Sequence, residues 1–210
     1  PVTTAFTISA ASPEGMAAAA EKNAHRPLIK MKLLGEGDLD RVRAVRAVLP
    51  ETPIIVDANE GWEPGMVDRF ATELKTLQVQ LVEQPLPASA DAALADLAHP
   101  LPFCADESCH TSADLERLKS RYDVINIKLD KTGGLTEALE LRQSALDAGM
   151  QVMVGCMVAT SLSMAPGVLV AQGVGVVDLD GPLLLAEDRE NGLLYDNEGR
   201  VHPPKAVLWG

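Results

Sequence analysis

The chain has 210 residues, 47% of them hydrophobic and 23% charged, the composition of one ordinary soluble domain able to bury a substantial core. Its formal charge of −12, with no Lys/Arg-rich stretch, would be repelled by phosphate backbones and anionic bilayers, which argues against a nucleic-acid partner. Cys104, Cys109 and Cys156 make an odd count without metal-ligand spacing, and the longest apolar runs are too short to span a bilayer, so the expectation is a cytoplasmic protein with no membrane partner.

Taken in order, short apolar or β-branched runs alternate with amphipathic segments. Thr3 to Ile8 is the first run, and Ser12-Pro13 then supplies an N-cap and a first-turn proline for a helix. Leu28 to Leu33 precedes a helix over Asp38 to Leu49, and Ile54 to Val56 precedes one over Pro64 to Leu77. Val79 to Val82 leads to Ala90 to Leu97, and Pro102 to Ala105 leads to a helix with Ser112 ahead of Asp114-Leu115-Glu116. Val124 to Ile127 is followed by Gly134 to Ala148, Val152 to Val154 by Ser161 to Gln172, and Val174 to Leu179 is the eighth run.

Eight strands separated by seven helices predict an α/β protein with a parallel sheet, either open and doubly wound or closed as a TIM-type (β/α)7β barrel. Eight units favour closure, and the first turn, Ser9 to Pro13, lacks the glycine-rich dinucleotide fingerprint. Residues 1–182 hold the eight units; residues 183–210, with Gly192, Gly199 and Pro203-Pro204, read as a hairpin-like tail of the same single domain.

In such a barrel, catalytic groups come from the C-terminal ends of the strands. Here the runs end in Lys30-Met31-Lys32, Asp57-Ala58-Asn59, Glu83-Gln84-Pro85, Asp106-Glu107-Ser108, Lys128 and Asp178-Leu179-Asp180. Lys32, Asp57, Glu83, Asp106 and Lys128 follow one another at 25, 26, 23 and 22 residues, the length of the repeat. A lone acid after a strand is an ordinary cap or turn residue, but acids and bases gathered in register suggest a mutually neutralising site.

Asp57, Glu83 and Asp106, from adjacent strands, would offer hard carboxylate oxygens to one cavity, a set suited to Mg²⁺. Lys32 and Lys128 end the second and sixth strands, which lie opposite in a ring of eight. Two opposed bases can invert a carbon, one removing a proton from one face while the other returns a proton to the opposite face. A lysine needs a lowered pKa for that work, and Lys30 beside Lys32, with a divalent cation nearby, is expected to push it down.

These motifs, together with Gly133-Gly134 and Gly155-Cys156-Met157, resemble the muconate-lactonizing subgroup of the enolase superfamily over essentially the whole chain. The resemblance implies the superfamily's C-terminal catalytic barrel, Asp57, Glu83 and Asp106 as Mg²⁺ ligands, Lys32 and Lys128 as the acid/base pair, and Lys30 beside the substrate carboxylate; the pairing of a Lys base with magnesium is a general feature of such sites. Cys156 and Met157 are implied as substrate contacts. Asp178-x-Asp180 is similar to the acid pair with which dipeptide epimerases of the L-Ala-D/L-Glu type receive a substrate ammonium, so the implied partner is a small dipeptide. Family members also carry an N-terminal α+β capping domain, whereas this sequence opens on the first barrel strand; the expectation is a barrel without its cap, with a homo-oligomer left open. Alternatives are N-acylamino acid racemisation, o-succinylbenzoate synthesis, cycloisomerisation, or a barrel that is inactive without the cap.

Overall fold

β1 (Val2–Thr3) stands apart from eight parallel strands that run in sequence order through one sheet: β2 (Phe6–Ile8), β3 (Ile29–Lys32), β4 (Ile54–Asp57), β5 (Val79–Glu83), β6 (Phe103–Ala105), β7 (Val124–Ile127), β8 (Gln151–Val154) and β9 (Val176–Val177). The structure, a computed structural model, describes residues 1–209. The sheet curls until its ends meet. Ala5 N–H donates to the Val177 carbonyl at 2.8 Å, Leu179 N–H to Thr4 Oγ1 at 2.8 Å and Thr7 N–H to Asp180 Oδ2 at 2.6 Å, joining the first and last barrel strands.

Because side chains alternate along a strand, each strand feeds two separate cores. Ile29, Met31, Ile54, Val56, Val82, Phe103, Ile125, Ile127 and Val154 point outward and pack beneath the helices. Ile55, Leu81, Cys104, Val124 and Met153 point inward and form a small apolar floor with Leu28 and Val176. Each fully buried aliphatic side chain of this kind contributes about 1.5–3 kcal/mol. The parallel register, with Lys30 beside Ile55, Lys32 beside Asp57, Asp57 beside Glu83 and Glu83 beside Cys104, then stacks the polar residues above that floor.

The surrounding helices are α1 (Pro13–Lys22), α2 (Asp38–Val48), α3 (Pro64–Thr76), α4 (Leu115–Leu118), α5 (Leu129–Thr132), α6 (Leu135–Asp147) and α7 (Ser161–Val170). Ser12 caps α1 as expected, accepting Gly15 N–H at 3.1 Å. Other details differ from the sequence reading. The first run is split: Val2–Thr3 pairs antiparallel with β10 (Arg200–Val201), and only Phe6–Ile8 enters the barrel. Asp91–Asp96 winds as a 3₁₀ turn rather than an amphipathic α-helix, because the buried Asp91 carboxylate is drawn inward by Ser108 Oγ at 2.6 Å and Arg121 at 2.6 Å. The turn before α4 is capped by Thr111, not Ser112, with Thr111 and Asp114 forming a reciprocal capping box. The short α5 has no counterpart in the sequence pattern.

Asp38 ties the loop after β3 to the loop after β4. Its carboxylate accepts Leu34 N–H at 2.9 Å, Gly35 N–H at 2.8 Å and the buried Trp62 indole N–H at 2.8 Å. Gly35, at φ 110°, occupies a conformation that favours glycine. Among the described residues no helix is long and apolar enough to cross a membrane.

Candidate active site

Directly above the floor lies a layer made by Lys30, Asp57, Glu83, Asp106, Asn126, Gly155 and Asp178, each two residues beyond a floor residue of its own strand, and above that a rim made by Lys32, Lys128 and Asp180, two residues further on. The mouth opens into a cavity of about 170 Å³ lined by Lys30, Lys32, Asp106, Lys128, Cys156, Met157, Asp178 and Asp180, with Thr7, Asn59, Glu107 and Leu184 among its other walls. Nearly all the site residues expected from the sequence thus line one space. Asp57 and Glu83 lie beside it, fully buried. A somewhat larger cavity, about 220 Å³, sits at the other end of the barrel, but Val124, Val152, Val174, Val176 and Arg142 there offer no opposed acid and base.

The acids are tied to lysines. Lys30 Nζ lies 2.6 Å from Glu83 Oε2, 2.8 Å from Asp178 Oδ2 and 3.2 Å from Asp57 Oδ2, inside the barrel and almost fully buried. Lys32 Nζ donates to Asp57 Oδ2 at 2.6 Å, and Lys128 Nζ to Asp106 Oδ2. The two lysines therefore flank the acids from opposite walls, with Lys32 partly open to solvent and Lys128 almost closed off.

Burial penalises every charge here, and the neighbours decide which groups keep theirs. Burial and then Asp57 push the Glu83 carboxyl up to about 8. Burial works the same way on Asp57 and Asp106, but Lys30 and Lys32 outweigh it at the first, and Lys131 and Lys128 at the second, so both carboxyls fall below the usual range. Asp180 is pushed up to about 6 by burial and then by Asp178. The pKa of two lysines shifts upward in the metal-free site. At Lys128 burial alone would lower it, yet Asp106 and Glu83 more than compensate and raise it; Asp178, Glu83 and Asp57 do the same to Lys30.

Asp57, Glu83 and Asp106 each present a carboxylate oxygen, and these oxygens lie within 4.8 Å of one another. Among the described residues Glu83 Oε2 and Asp106 Oδ1 have no partner in hydrogen-bonding geometry, although the Lys30 and Lys131 ammoniums stand 2.6 and 2.7 Å away. Buried, hard oxygens with unused lone pairs and no His among them fit a Mg²⁺ ion.

Three contributors escaped the sequence reading. Asn126, wholly buried, donates to Glu83 Oε1 at 2.8 Å. Lys131 pairs with Asp106 at 2.7 Å and donates to the Asn126 carbonyl at 2.9 Å. Gln84 Oε1 accepts Asp106 N–H at 2.8 Å while its amide donates to Ser108 Oγ at 2.8 Å, bracing one acid strand against the next. Spacing held the clues: Asn126 is two residues before Lys128, Lys131 one helical turn after it, and Gln84 adjoins Glu83.

A family sequence model described as enolase C-terminal domain-like matches residues 15–207. The chain is 45% identical over 206 residues to the N-acetyl-D-glutamate racemase of a Pseudoalteromonas species, a match covering 98% of this chain and 65% of that protein. It is 44% identical over 203 residues to the L-Ala-D/L-Glu epimerase of Escherichia coli K12, covering 96% of this chain and 63% of that protein. It thus spans a little under two thirds of the length of these relatives. An Agrobacterium tumefaciens enolase family member with homology to dipeptide epimerases, solved with sodium and L-Ala-L-Glu, superposes with a TM-score of 0.97 at 55% identity, covering 100% of this chain and 64% of that one. A Cytophaga hutchinsonii dipeptide epimerase, solved with Mg and D-Ala-L-Val, superposes with a TM-score of 0.92 at 32% identity, covering 97% and 59%.

Proposed function

This chain belongs to the enolase C-terminal domain-like family, and on that premise we propose that it is the Mg²⁺-dependent barrel of an isomerase that epimerises dipeptides of the L-Ala-D/L-Glu type by 1,1-proton transfer. The observation that carries this reading is the placement of Lys32 and Lys128 on opposite walls, each in contact with one end of the same acid cluster.

Asp57, Glu83 and Asp106 would hold the ion. A Mg²⁺ bound there supplies positive charge that offsets the carboxylates holding a proton on Lys128 and favours oxygens that gain electron density as an α-proton leaves. Lys32 and Lys128 reach a substrate α-carbon from its two faces; whichever is neutral takes the proton, and the other, as ammonium, returns one. After one turnover the roles are exchanged, so the reverse reaction starts from the state the forward one leaves. Water exclusion follows from burial: Lys128, Asp57, Glu83 and Asp106 are all closed off beneath the mouth.

Asp178 and Asp180 set the substrate's other end. They stand across the barrel from the metal acids, and a free ammonium there would relieve the repulsion that raises Asp180. This supports a dipeptide with an unblocked N-terminus. A second reading, racemisation of an N-acylated glutamate, draws support from the Pseudoalteromonas relative and from Lys30, whose ammonium already partly neutralises Asp178. With Mg²⁺ present, L-Ala-L-Glu and N-acetyl-L-glutamate offered separately, with stereochemistry followed by chiral chromatography, tell the two apart: epimerisation of the dipeptide in preference supports the first, and turnover of the acetylated acid alone replaces it with the second. The buried free thiols of Cys104 and Cys109 fit the reducing cytoplasm.

A further inference from the structure

Glu83 is a metal-wall acid with no exposed surface, and its two oxygens are approached by different partners. Lys30 Nζ stands 2.6 Å from Oε2, and Asn126 Nδ2 donates to Oε1 at 2.8 Å. Asn126 sits on β7, within the inner layer and with no exposed surface, and reaches past β6 to Glu83 on β5. Its amide can give that bond only with nitrogen toward the carboxylate, since the other orientation would set two acceptors face to face.

Space for that amide comes from the neighbouring strand. At Gly155 a Cβ would lie 2.6 Å from Asn126 Oδ1, 2.7 Å from Nδ2 and 3.1 Å from Cγ, closer than side chains tolerate. Gly155 is fixed in place because its N–H donates to the Ile127 carbonyl at 3.0 Å, so the backbone cannot easily retreat. Its φ is not in the left-handed region, which leaves the room for Asn126 as the reason for glycine here.

We propose that Asn126 and Gly155 act as one positioning unit: Gly155 makes the pocket in which Asn126 holds the Glu83 carboxylate turned toward the ion. Neither residue touches the ion or substrate; both act through Glu83. Without the Asn126 bond, Glu83 is free to swing onto Lys30, already within 2.6 Å, and its contribution to the ion is lost. Removing a partner that orients a ligand typically lowers metal affinity by about 10–100-fold. The inference rests on reading Asp57, Glu83 and Asp106 as the metal site.

Calorimetric titration of Mg²⁺ into the folded chain, without any substrate, tests it. Parent, Asn126→Ala, Asn126→Leu, Gly155→Ala and the double variant Asn126→Ala/Gly155→Ala are compared, with melting temperatures recorded in parallel. The leucine variant fills the same pocket without a donor, so it separates lost packing from lost positioning. The expected result is about a tenfold or greater loss of affinity in each single variant, and a double variant no weaker than Asn126→Ala, since the methyl added at position 155 then enters vacated space. Should Gly155→Ala alone fail to fold, the double variant recovers folding. The proposal is overturned if Asn126→Leu binds Mg²⁺ as the parent does, if the cost of Gly155→Ala persists undiminished beside Asn126→Ala, or if the double also fails to fold. A parent that binds no Mg²⁺ overturns the metal reading itself, a distinct failure.

Discussion

Lys30 Nζ lies 2.8 Å from Asp178 Oδ2, an almost fully buried ion pair between the second and last barrel strands. The same ammonium touches Glu83 and Asp57, so one buried cation joins the proposed metal acids to the acid pair across the barrel. Each side then depends on the other's charge. Removing that cation leaves three buried carboxylates facing one another.

Lys30→Met is accordingly expected to destabilise the metal-free chain by about 3–5 kcal/mol, the cost of leaving buried charges without their partner. Saturating Mg²⁺ is expected to recover part of the loss, because the ion replaces the missing charge at Asp57 and Glu83. Urea unfolding with and without Mg²⁺ measures both quantities; equal losses in the two conditions would show that the acids do not share an ion.

Asp180 carries a penalty that serves the substrate. Its carboxyl is raised from 3.8 to about 6, first by burial and then by Asp178. Well below pH 3.8, folded and unfolded chains both hold the proton. As pH climbs between those two values the unfolded chain releases it first, so the folded state loses stability, and above about 6 the full cost, on the order of 3 kcal/mol, is in place. Asp180→Asn removes this titration. It is expected to be more stable than the parent at pH 7, with the gap closing toward pH 4, while dipeptide turnover falls sharply. Denaturation at several pH values, paired with the epimerisation assay, checks both halves.

Opposed bases make a directional claim. Lys128→Ala is expected to lose α-proton exchange from one stereoisomer of a dipeptide by about 10²-fold or more while retaining more of the other's, and Lys32→Ala to show the opposite preference. Proton exchange into deuterated solvent, followed by nuclear magnetic resonance for each stereoisomer in turn, gives the answer. Equal losses for both stereoisomers in one variant, with little loss in the other, would point to a single-base site.

Asp38 lies away from the chemistry but sets the loops that frame Lys32 and Asn59. Asp38→Ala leaves Leu34 N–H, Gly35 N–H and the Trp62 indole N–H without their acceptor. At about 1–3 kcal/mol for each donor left buried and unmatched, a destabilisation of roughly 3 kcal/mol or more is expected. Asp38→Asn, which keeps one acceptor oxygen, is expected to cost less; thermal melting of the two variants supplies the comparison.

Much of the site was legible because a parallel barrel delivers its polar groups at one end of every strand. Asp57, Glu83, Asp106 and Lys128 each follow an apolar run, and the repeat length alone puts them in register. Contacts across the closed barrel were not legible. Lys30 and Asp178 are 148 residues apart, and only closure of the sheet reveals that Lys30 turns inward to three acids. Asn126 was hidden inside a run that read as plain strand, although its two-residue spacing from Lys128 puts both on the inner side. Local pattern also lost to tertiary demand at Asp91–Asp96, where anchoring one buried carboxylate overrode the apolar spacing of an α-helix. The direction of the Lys128 shift could not be foreseen from neighbouring lysines, because the acids of adjacent strands lie nearer to it.

The most direct measurement is solvent isotope incorporation by the Mg²⁺-loaded protein. In deuterium oxide, L-Ala-L-Glu is expected to gain one deuterium at the glutamate α-carbon as L-Ala-D-Glu appears, with both lost when Mg²⁺ is removed. Absence of α-deuteration across a library of dipeptides, in a protein that binds Mg²⁺, would contradict 1,1-proton transfer between Lys32 and Lys128 on such substrates.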